Sequence, residues 1–392
     1  MSRPLRIFMI AGEASGDNLG ASLMRALKAE NPDIAFFGVG GMRMAEEGLA
    51  SIFPMKDLSV MGLAEILPKL FLLLRRIRQT VAGVLQEKPD VVITIDSPDF
   101  CFRVLQKVKA KNKSIPCIHY VAPSVWAWRP ERAKKIAQFL DHVLTLLPFE
   151  PPYFHRHGLA ATFVGHPVVE RAHSGGNATR FQKRHAIRDS QPLVCLLPGS
   201  RASELDRLMD VFCDAVILVL RQKPNAVVAL ATLPHLRKKA EAFFKGKGVN
   251  PIIIDSTEEK FDCFAASTVA LAASGSVSLE LAVSDTPHII AYRLSPATAA
   301  IARRMVKTPF VNLINIVLGR QAVPELIQEN CTPETLAVRL IALIDRREER
   351  SAQLMNFREA LLMLGLGDTQ TPSQKAAKTV LSIIKDRSGK GG

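Results

Sequence analysis

The feature that most constrains this 392-residue chain is a steady alternation of short apolar, β-branched runs with longer helical patterns. The runs at residues 5–11, 34–38, 91–95, 115–121, 142–147 and 161–164 form one series of expected strands. A second series covers 193–197, 226–231, 252–255, 268–272 and 288–292. Helical stretches fill the gaps, as at 19–29, 100–111, 205–221 and 279–283. Strands that are apolar on both sides and alternate with helices imply parallel sheets covered on both faces. The expected class is therefore α/β, with two doubly wound domains. Beyond Thr332 the pattern is purely helical to about Lys385, and the last residues should fray. Between the series, residues 173–189 contain Ser-Gly-Gly-Asn and several basic residues, and read as a linker followed by a solvated stretch. The expected boundaries are a first domain over 1–172, a second over 190–346, and a helical tail over 347–392.

Composition narrows the function classes. Hydrophobic residues make up 48% and charged residues 22%, which excludes a disordered or fibrous chain. The formal net charge is +14 and is shared by both halves. It points to an anionic partner: nucleic acid, a phosphate-bearing small molecule or an acidic membrane surface. Aromatics at 6% and the absence of a concentrated basic stripe count against nucleic acid. The six cysteines are scattered with no C-x-x-C pair, which argues against zinc or a disulfide framework. No segment reads as a signal peptide or a spanning helix, so a cytosolic protein is expected.

The unusual residues fall just after the strands. Gly12-Glu13-Ala14-Ser15-Gly16-Asp17 follows the first, and Asp96-Ser97-Pro98-Asp99 follows the run at 91–95. His119 and His166 close two others. In the second half, Pro198-Gly199-Ser200-Arg201 and Ser274-Gly275-Ser276-Val277-Ser278-Leu279-Glu280 occupy equivalent places. Open parallel sheets bind ligands at these carboxyl ends, and two such edges facing each other would make one cleft.

The Gly12–Asp17 loop is neither a dinucleotide fingerprint nor a Walker loop, and Ser15 or Asp17 is expected to cap the helix after it. The Ser274-Gly275-Ser276 loop suits a diphosphate, with Glu280 reaching ribose hydroxyls. The bland alternative is a serine-capped helix with a surface Glu280. Arg201 suits an anionic group, unless it merely pairs with Glu204 three residues on. Asp99 or Asp96 is the candidate general base, against a role for Asp99 as a helix cap. Strand-end histidines such as His119 are more often packed or hydrogen-bonded than catalytic. No metal-ligand spacing occurs.

Residues 60–78 differ in kind. Leu63, Ile66, Leu67, Leu70, Leu74 and Ile77 recur at helical spacing, and Met61, Phe71, Leu72 and Leu73 widen the apolar face. Lys69, Arg75, Arg76 and Arg78 stand alongside, as in helices that lie on anionic lipid. Burial of the same stripe as a core helix is the alternative.

Together these motifs resemble the lipid-A-disaccharide synthase family, bacterial glycosyltransferases of GT-B fold. The resemblance runs over most of the chain. It rests on Gly12–Asp17 with Leu19-Gly20-Ala21, Gly38-Val39-Gly40-Gly41-Met42, Met61-Gly62, Ile95 to Phe100, the HYVAPSVWAWR stretch from His119 to Arg129, Leu147-Pro148-Phe149-Glu150, Val164 to Pro167, Leu197 to Arg201, and Ser274 to Glu280. Ser276 and Val311 depart from the family's Thr and Pro.

The resemblance implies two Rossmann-like domains facing across a cleft. It implies an inverting transfer, without metal or cofactor, from UDP-2,3-diacylglucosamine to 2,3-diacylglucosamine 1-phosphate (lipid X). The products are the β-1′,6 disaccharide of lipid A biosynthesis and UDP. It adds Asn312 and Gln328 near the donor, and Glu13, Ser15, Gly16, Asp17 and His119 on the acceptor side. It also implies the cytoplasmic face of the inner membrane as the place of work, no nucleic-acid partner, and a homodimer as an available state, with the 347–392 tail packed back on the first domain or exchanged between subunits. The rival within the fold is another UDP-sugar enzyme, a peptidoglycan N-acetylglucosaminyltransferase or a 2-epimerase.

Overall fold

A computed structural model of the chain describes residues 3–58, 63–306 and 308–388. It divides into two compact units, Met1–Pro167 with Gly367–Gly392, and Val168–Leu366.

In the first unit the strands are β1 (Leu5–Ala11), β2 (Ile34–Val39), β3 (Ala50–Ser51), β4 (Val91–Ile95), β5 (Cys117–Tyr120), β6 (His142–Thr145) and β7 (Ala160–Phe163). Among the described residues they form one parallel sheet in the order β3-β2-β1-β4-β5-β6-β7. Successive side chains of a strand point to opposite faces, and here both faces are buried. Phe8, Ile10 and Val92 join one core, while Ile7, Met9, Ile93 and Ile95 join the other. This is why the strands read as unbroken apolar runs with no polar alternation. The helix Ala14–Glu30 covers the second face together with Pro372–Ser388, whose Ala376, Ala377, Val380 and Ile384 enter that core. The end of the chain thus completes the unit that its beginning started.

The second unit contains β8 (Leu193–Leu197), β9 (Val227–Ala231), β10 (Ile252–Ile254), β11 (Val269–Ala273), β12 (His288–Tyr292) and β13 (Glu325–Ile327). Their order is β10-β9-β8-β11-β12-β13, again parallel. The helix Arg347–Met363 stays with this unit. Its Gln353 accepts from the His288 N–H at 2.9 Å and donates to the His288 carbonyl at 3.2 Å, and its Phe357 stacks on the His288 ring.

Residues 173–189 are not the solvated linker expected. They carry the helix Ala178–Arg184, capped by the Asn177 side chain at 2.8 Å from the Arg180 N–H. Phe181 is buried, and Arg180 holds the Asp262 carboxylate at 2.5 Å. A buried ring and ion pairs from Arg180 and Arg184 to the distant Asp262 and Glu259 anchor a segment whose composition is otherwise polar.

Both sheets reverse strand order once, between β1 and β4 and between β8 and β11. In open α/β sheets the crevice outside the carboxyl ends at such a reversal is the ligand site. The candidate loops lie at these two places.

Candidate active site

In the second unit, Gly199, Ser200 and Arg201 after β8, Thr232 after β9, and Ser274, Gly275, Ser276 and Glu280 after β11 line a hollow of about 420 Å³. The turn after β8 requires glycine. Gly199 has a φ of +114°, and a Cβ there would collide with a Glu204 carboxylate oxygen. That carboxylate accepts from the Ser200 and Arg201 N–H groups at 2.9 and 3.2 Å. Its other oxygen meets the Arg201 guanidinium at 3.2 Å. Arg201 is therefore paired with Glu204, yet more than half of its side chain stays exposed on the hollow.

The serine-cap alternative for the β11 loop does not hold, because Ser276 makes no side-chain cap bond. Ser274 instead donates to the Val311 carbonyl at 3.1 Å, tying the loop to the chain beside Asn312. Asn312 caps its own short helix, accepting from Ile314 N–H at 2.7 Å, and Gln328 accepts from Leu294 N–H at 2.6 Å. Neither lines the hollow.

Lys260 is the residue that sequence reading missed. It sits inside the helix Thr257–Ala266, lines the hollow, and reaches Glu280 at 2.7 Å. Its ammonium also lies 4.9 Å from the centre of the Phe261 ring. Nothing local in the sequence marks this lysine. The buried Thr232 hydroxyl, also on the lining, has no partner within the described protein. Such an orphan costs about 1–3 kcal/mol unless a ligand or water meets it.

At the first unit's reversal point, the loops after β1 and β4 touch. Ser15 donates to Asp96 at 3.2 Å, and the other Asp96 oxygen accepts from the Ser97 N–H at 2.8 Å. Asp96 and Ser97 both have left-handed backbones, with φ of +53° and +43°. Two such non-glycine residues in succession hold strain of the kind found at functional sites. The approach is so close that a Cβ at Gly12 would lie 2.6 Å from the Ser97 hydroxyl.

Asp99 follows, in the first turn of the helix Pro98–Lys111, where Ser97 occupies the cap position. Asp99 is thus not the cap, and its side chain is 96% exposed. Arg132 is its neighbour at 3.2 Å.

Other expected residues have structural duties. Asp17 is buried and caps a different helix, Met42–Glu46, accepting from Gly41, Arg43 and Met44 N–H groups at 2.7 to 3.1 Å. Neither Ser15 nor Asp17 caps Ala14–Glu30, whose cap position is Glu13, and the Glu13 side chain makes no cap bond to that helix. Gly16 is buried in that helix. His119 is fully buried within β5, its Nδ1 2.8 Å from the Thr94 hydroxyl and its ring edge-on to Phe102. Burial, aided by the Arg132 charge, pushes its pKa down to about 3, so it stays neutral. His166 is pushed to about 4 by burial. Two quoted motifs meet directly: Trp126 donates to Glu150 at 3.1 Å and packs edge-on against Phe149.

The helix Leu63–Glu87 divides the two readings of its stripe between its ends. Ile77, Val81 and Val84 enter the core, while Leu70, Phe71 and Leu74 are exposed, Phe71 at 84%. Leu73 is half-buried and Arg75 exposed. Arg76 is not available to a surface, because it holds Asp57 at 2.6 Å and lies over the Phe53 ring. Met61 lies outside the described residues, as do the side chains of Leu63, Ile66 and Leu67. Among the described residues, no helix is long and apolar enough to cross a membrane, and no cluster of three His, Cys, Asp or Glu side chains could hold a metal.

The model of the family described as lipid-A-disaccharide synthetase matches residues 7–379. The chain belongs to the lipid-A-disaccharide synthase family. A family member from Rhodospirillum centenum is 48% identical over 386 residues, covering 98% of this chain and 96% of the relative. Another, from Gluconobacter oxydans, is 43% identical over 97% of this chain and 91% of its own length. Among solved structures, the Neisseria meningitidis UDP-GlcNAc 2-epimerase bound to UDP-GlcNAc superposes with a TM-score of 0.68 at 13% identity, covering 96% of this chain and all of that one. A kitacinnamycin glycotransferase gives 0.64 at 16% identity, over 98% and 100% of the two chains. At these identities the likeness carries the fold alone, and it is the fold of GT-B glycosyltransferases and epimerases. Membership of the synthase family makes the chain a glycosyltransferase of lipid A biosynthesis rather than an epimerase.

Proposed function

We propose that the chain transfers 2,3-diacylglucosamine from its UDP derivative to the 6-hydroxyl of 2,3-diacylglucosamine 1-phosphate, releasing UDP. The observation that carries this reading is the second unit's hollow at the strand reversal, which combines two small-residue loops with Arg201, Lys260 and Glu280. In it the Ser274–Ser276 loop takes the diphosphate and Glu280 the ribose, steadied by Lys260. The two cations offset the charge that grows on departing UDP, fixed in place before the reaction needs them.

Asp99 is the base. It takes the proton from the acceptor hydroxyl as that oxygen attacks the anomeric carbon, and inversion follows from attack opposite the leaving UDP. Full exposure and freedom from capping duty support Asp99 over Asp96, whose oxygens are engaged by Ser15 and Ser97. The exposed Leu70, Phe71 and Leu74, with Arg75, are read as a surface for anionic bilayers at the inner membrane, where acylated substrates reside.

UDP release measured with both acylated sugars, then with each alone, tests the reading. Release only with both present is the expected result. Release with the donor alone at the same rate would sink it.

A further inference from the structure

The HYVAPSVWAWR stretch has no task in the reaction above, yet its end forms part of a second hollow, on the first unit. This hollow measures about 550 Å³, and its lining includes Asp99, Trp128, Arg129, Glu131, Arg132 and Lys135. Arg132 is occupied with Asp99. Arg129 lies over Trp128, its guanidinium carbon 4.0 Å from the ring centre, so the ring steadies the guanidinium while its N–H groups remain for an anion. Among the described residues, neither Arg129 nor Lys135 has an anionic side-chain partner. After the Arg132–Asp99 pair, two cations therefore stand against the single carboxylate of Glu131.

We infer that this hollow takes the phosphomonoester of the acceptor sugar, held by Arg129 and Lys135 with Trp128 as the wall beside the ring. The inference rests on the reading of Asp99 as base. On a glucosamine 1-phosphate the carbons that carry the phosphate and the attacking hydroxymethyl group flank the same ring oxygen, so the two groups lie at one end of the pyranose. A single hollow whose lining brings together the Asp99 carboxylate and the cations Arg129 and Lys135 can meet both groups. A dianionic phosphate favours a guanidinium with an ammonium beside it, through charge-assisted hydrogen bonds. The same chemistry is offered by a phospholipid headgroup. The concave shape and the presence of Asp99 favour the sugar phosphate, since a bilayer meets exposed, apolar surface such as Phe71 more readily.

The test uses the full chain in detergent micelles, with UDP-2,3-diacylglucosamine and two acceptors. One is 2,3-diacylglucosamine 1-phosphate and the other is the same sugar with 1-O-methyl in place of phosphate. Wild type should prefer the phosphorylated acceptor. In Arg129→Gln/Lys135→Gln that preference should fall by about tenfold or more, the loss appearing in the KM for the phosphorylated acceptor, as for charged hydrogen bonds removed. UDP affinity should not change, and Arg129→Lys/Lys135→Arg should retain most of the preference. An undiminished preference in the double glutamine variant, or equal losses on both acceptors, would overturn the site. Loss of binding to phosphatidylglycerol vesicles with the acceptor preference intact would overturn it in favour of a headgroup patch. Absence of UDP release by wild type with either acceptor would sink the transferase reading itself.

Discussion

The Arg132 guanidinium lies 3.2 Å from the Asp99 carboxylate while its face rests over the ring of Phe102, 5.3 Å from the centroid. Arg132 is thus fixed by the core, and Asp99 is held against it without being buried. A carboxylate so placed is oriented at no cost to the fold. Asp99→Asn should therefore leave stability and UDP affinity unchanged and lower turnover by about 10²–10⁴, the usual contribution of a general base. Single-turnover kinetics with UDP titration on the same preparation separates the two effects. Near-normal turnover would move the base elsewhere.

The Lys260–Glu280 pair sets a second expectation. Glu280→Ala removes a carboxylate proposed to accept from ribose and leaves Lys260 without its anionic partner. UDP affinity should weaken by about 1–3 kcal/mol, the cost of losing a charged hydrogen bond. Lys260→Gln should weaken UDP more than uridine, because its charge answers the diphosphate and uridine has none. Equal effects on both ligands, measured by calorimetry, would reduce Lys260 to a prop for Glu280.

How far the sequence disclosed this site follows from what each residue does. Gly199 and Gly275, and the place of Asp99 beyond a strand, were legible because a strand end is a local pattern. Lys260 was not, since its place on the hollow depends on a tertiary pairing with Glu280, twenty residues on. Asp17 announced itself as a polar residue in a glycine-rich loop, but its partners at Gly41, Arg43 and Met44 come from another loop altogether. Arg76 read as one of a basic row until Asp57 claimed it. Strands β3 and β13, two and three residues long, are too short to carry a periodicity. Local signals gave the elements and the loop positions, while long-range pairing decided which polar residues remain for a ligand.

Buried histidines make the fold acid-sensitive in a stated direction. His119 and His288 are fully buried, and burial holds them down at about 3 and about 4. Below pH 6.5 the unfolded chain binds protons at these sites and the folded chain does not. Stability is therefore complete above that pH and is lost as pH falls toward 4. Glu150 acts oppositely: burial raises it to about 7, so its contribution falls as pH rises from 4.5 to 7. With His166, likewise held at about 4 by burial, the histidines outweigh the one carboxyl near pH 5.5, each contributing on the order of 1 kcal/mol there. Denaturant unfolding at pH 7.5 and 5.5 should show a loss at the lower pH. His119→Asn, which can keep the Thr94 hydrogen bond, should shrink that loss by about 1 kcal/mol. An unchanged pH dependence in this variant would mean that His119 titrates alike in both states.

The last expectation concerns the helix Leu63–Glu87, whose two ends serve different masters. Ile77, Val81 and Val84 hold its second half in the core, so the helix should survive changes in its first half. Leu70, Phe71 and Leu74 contribute nothing to that core, and their exposure costs water contact that a bilayer would relieve. Replacing all three with Ser should leave the unfolding transition within about 0.5 kcal/mol, as for surface sites generally. Binding to vesicles containing phosphatidylglycerol should fall sharply, because three apolar side chains no longer enter the interface. Arg75 adds an electrostatic share, so wild-type binding should also weaken with added salt and with neutral lipid, as screening requires. Arg76→Gln should behave otherwise. It breaks the pair with Asp57, and its effect should appear in stability rather than in vesicle binding. Sedimentation with vesicles and unfolding on the same variants give the two readouts. Retention of the triple-serine variant on anionic vesicles would show that these residues are exposed for another reason.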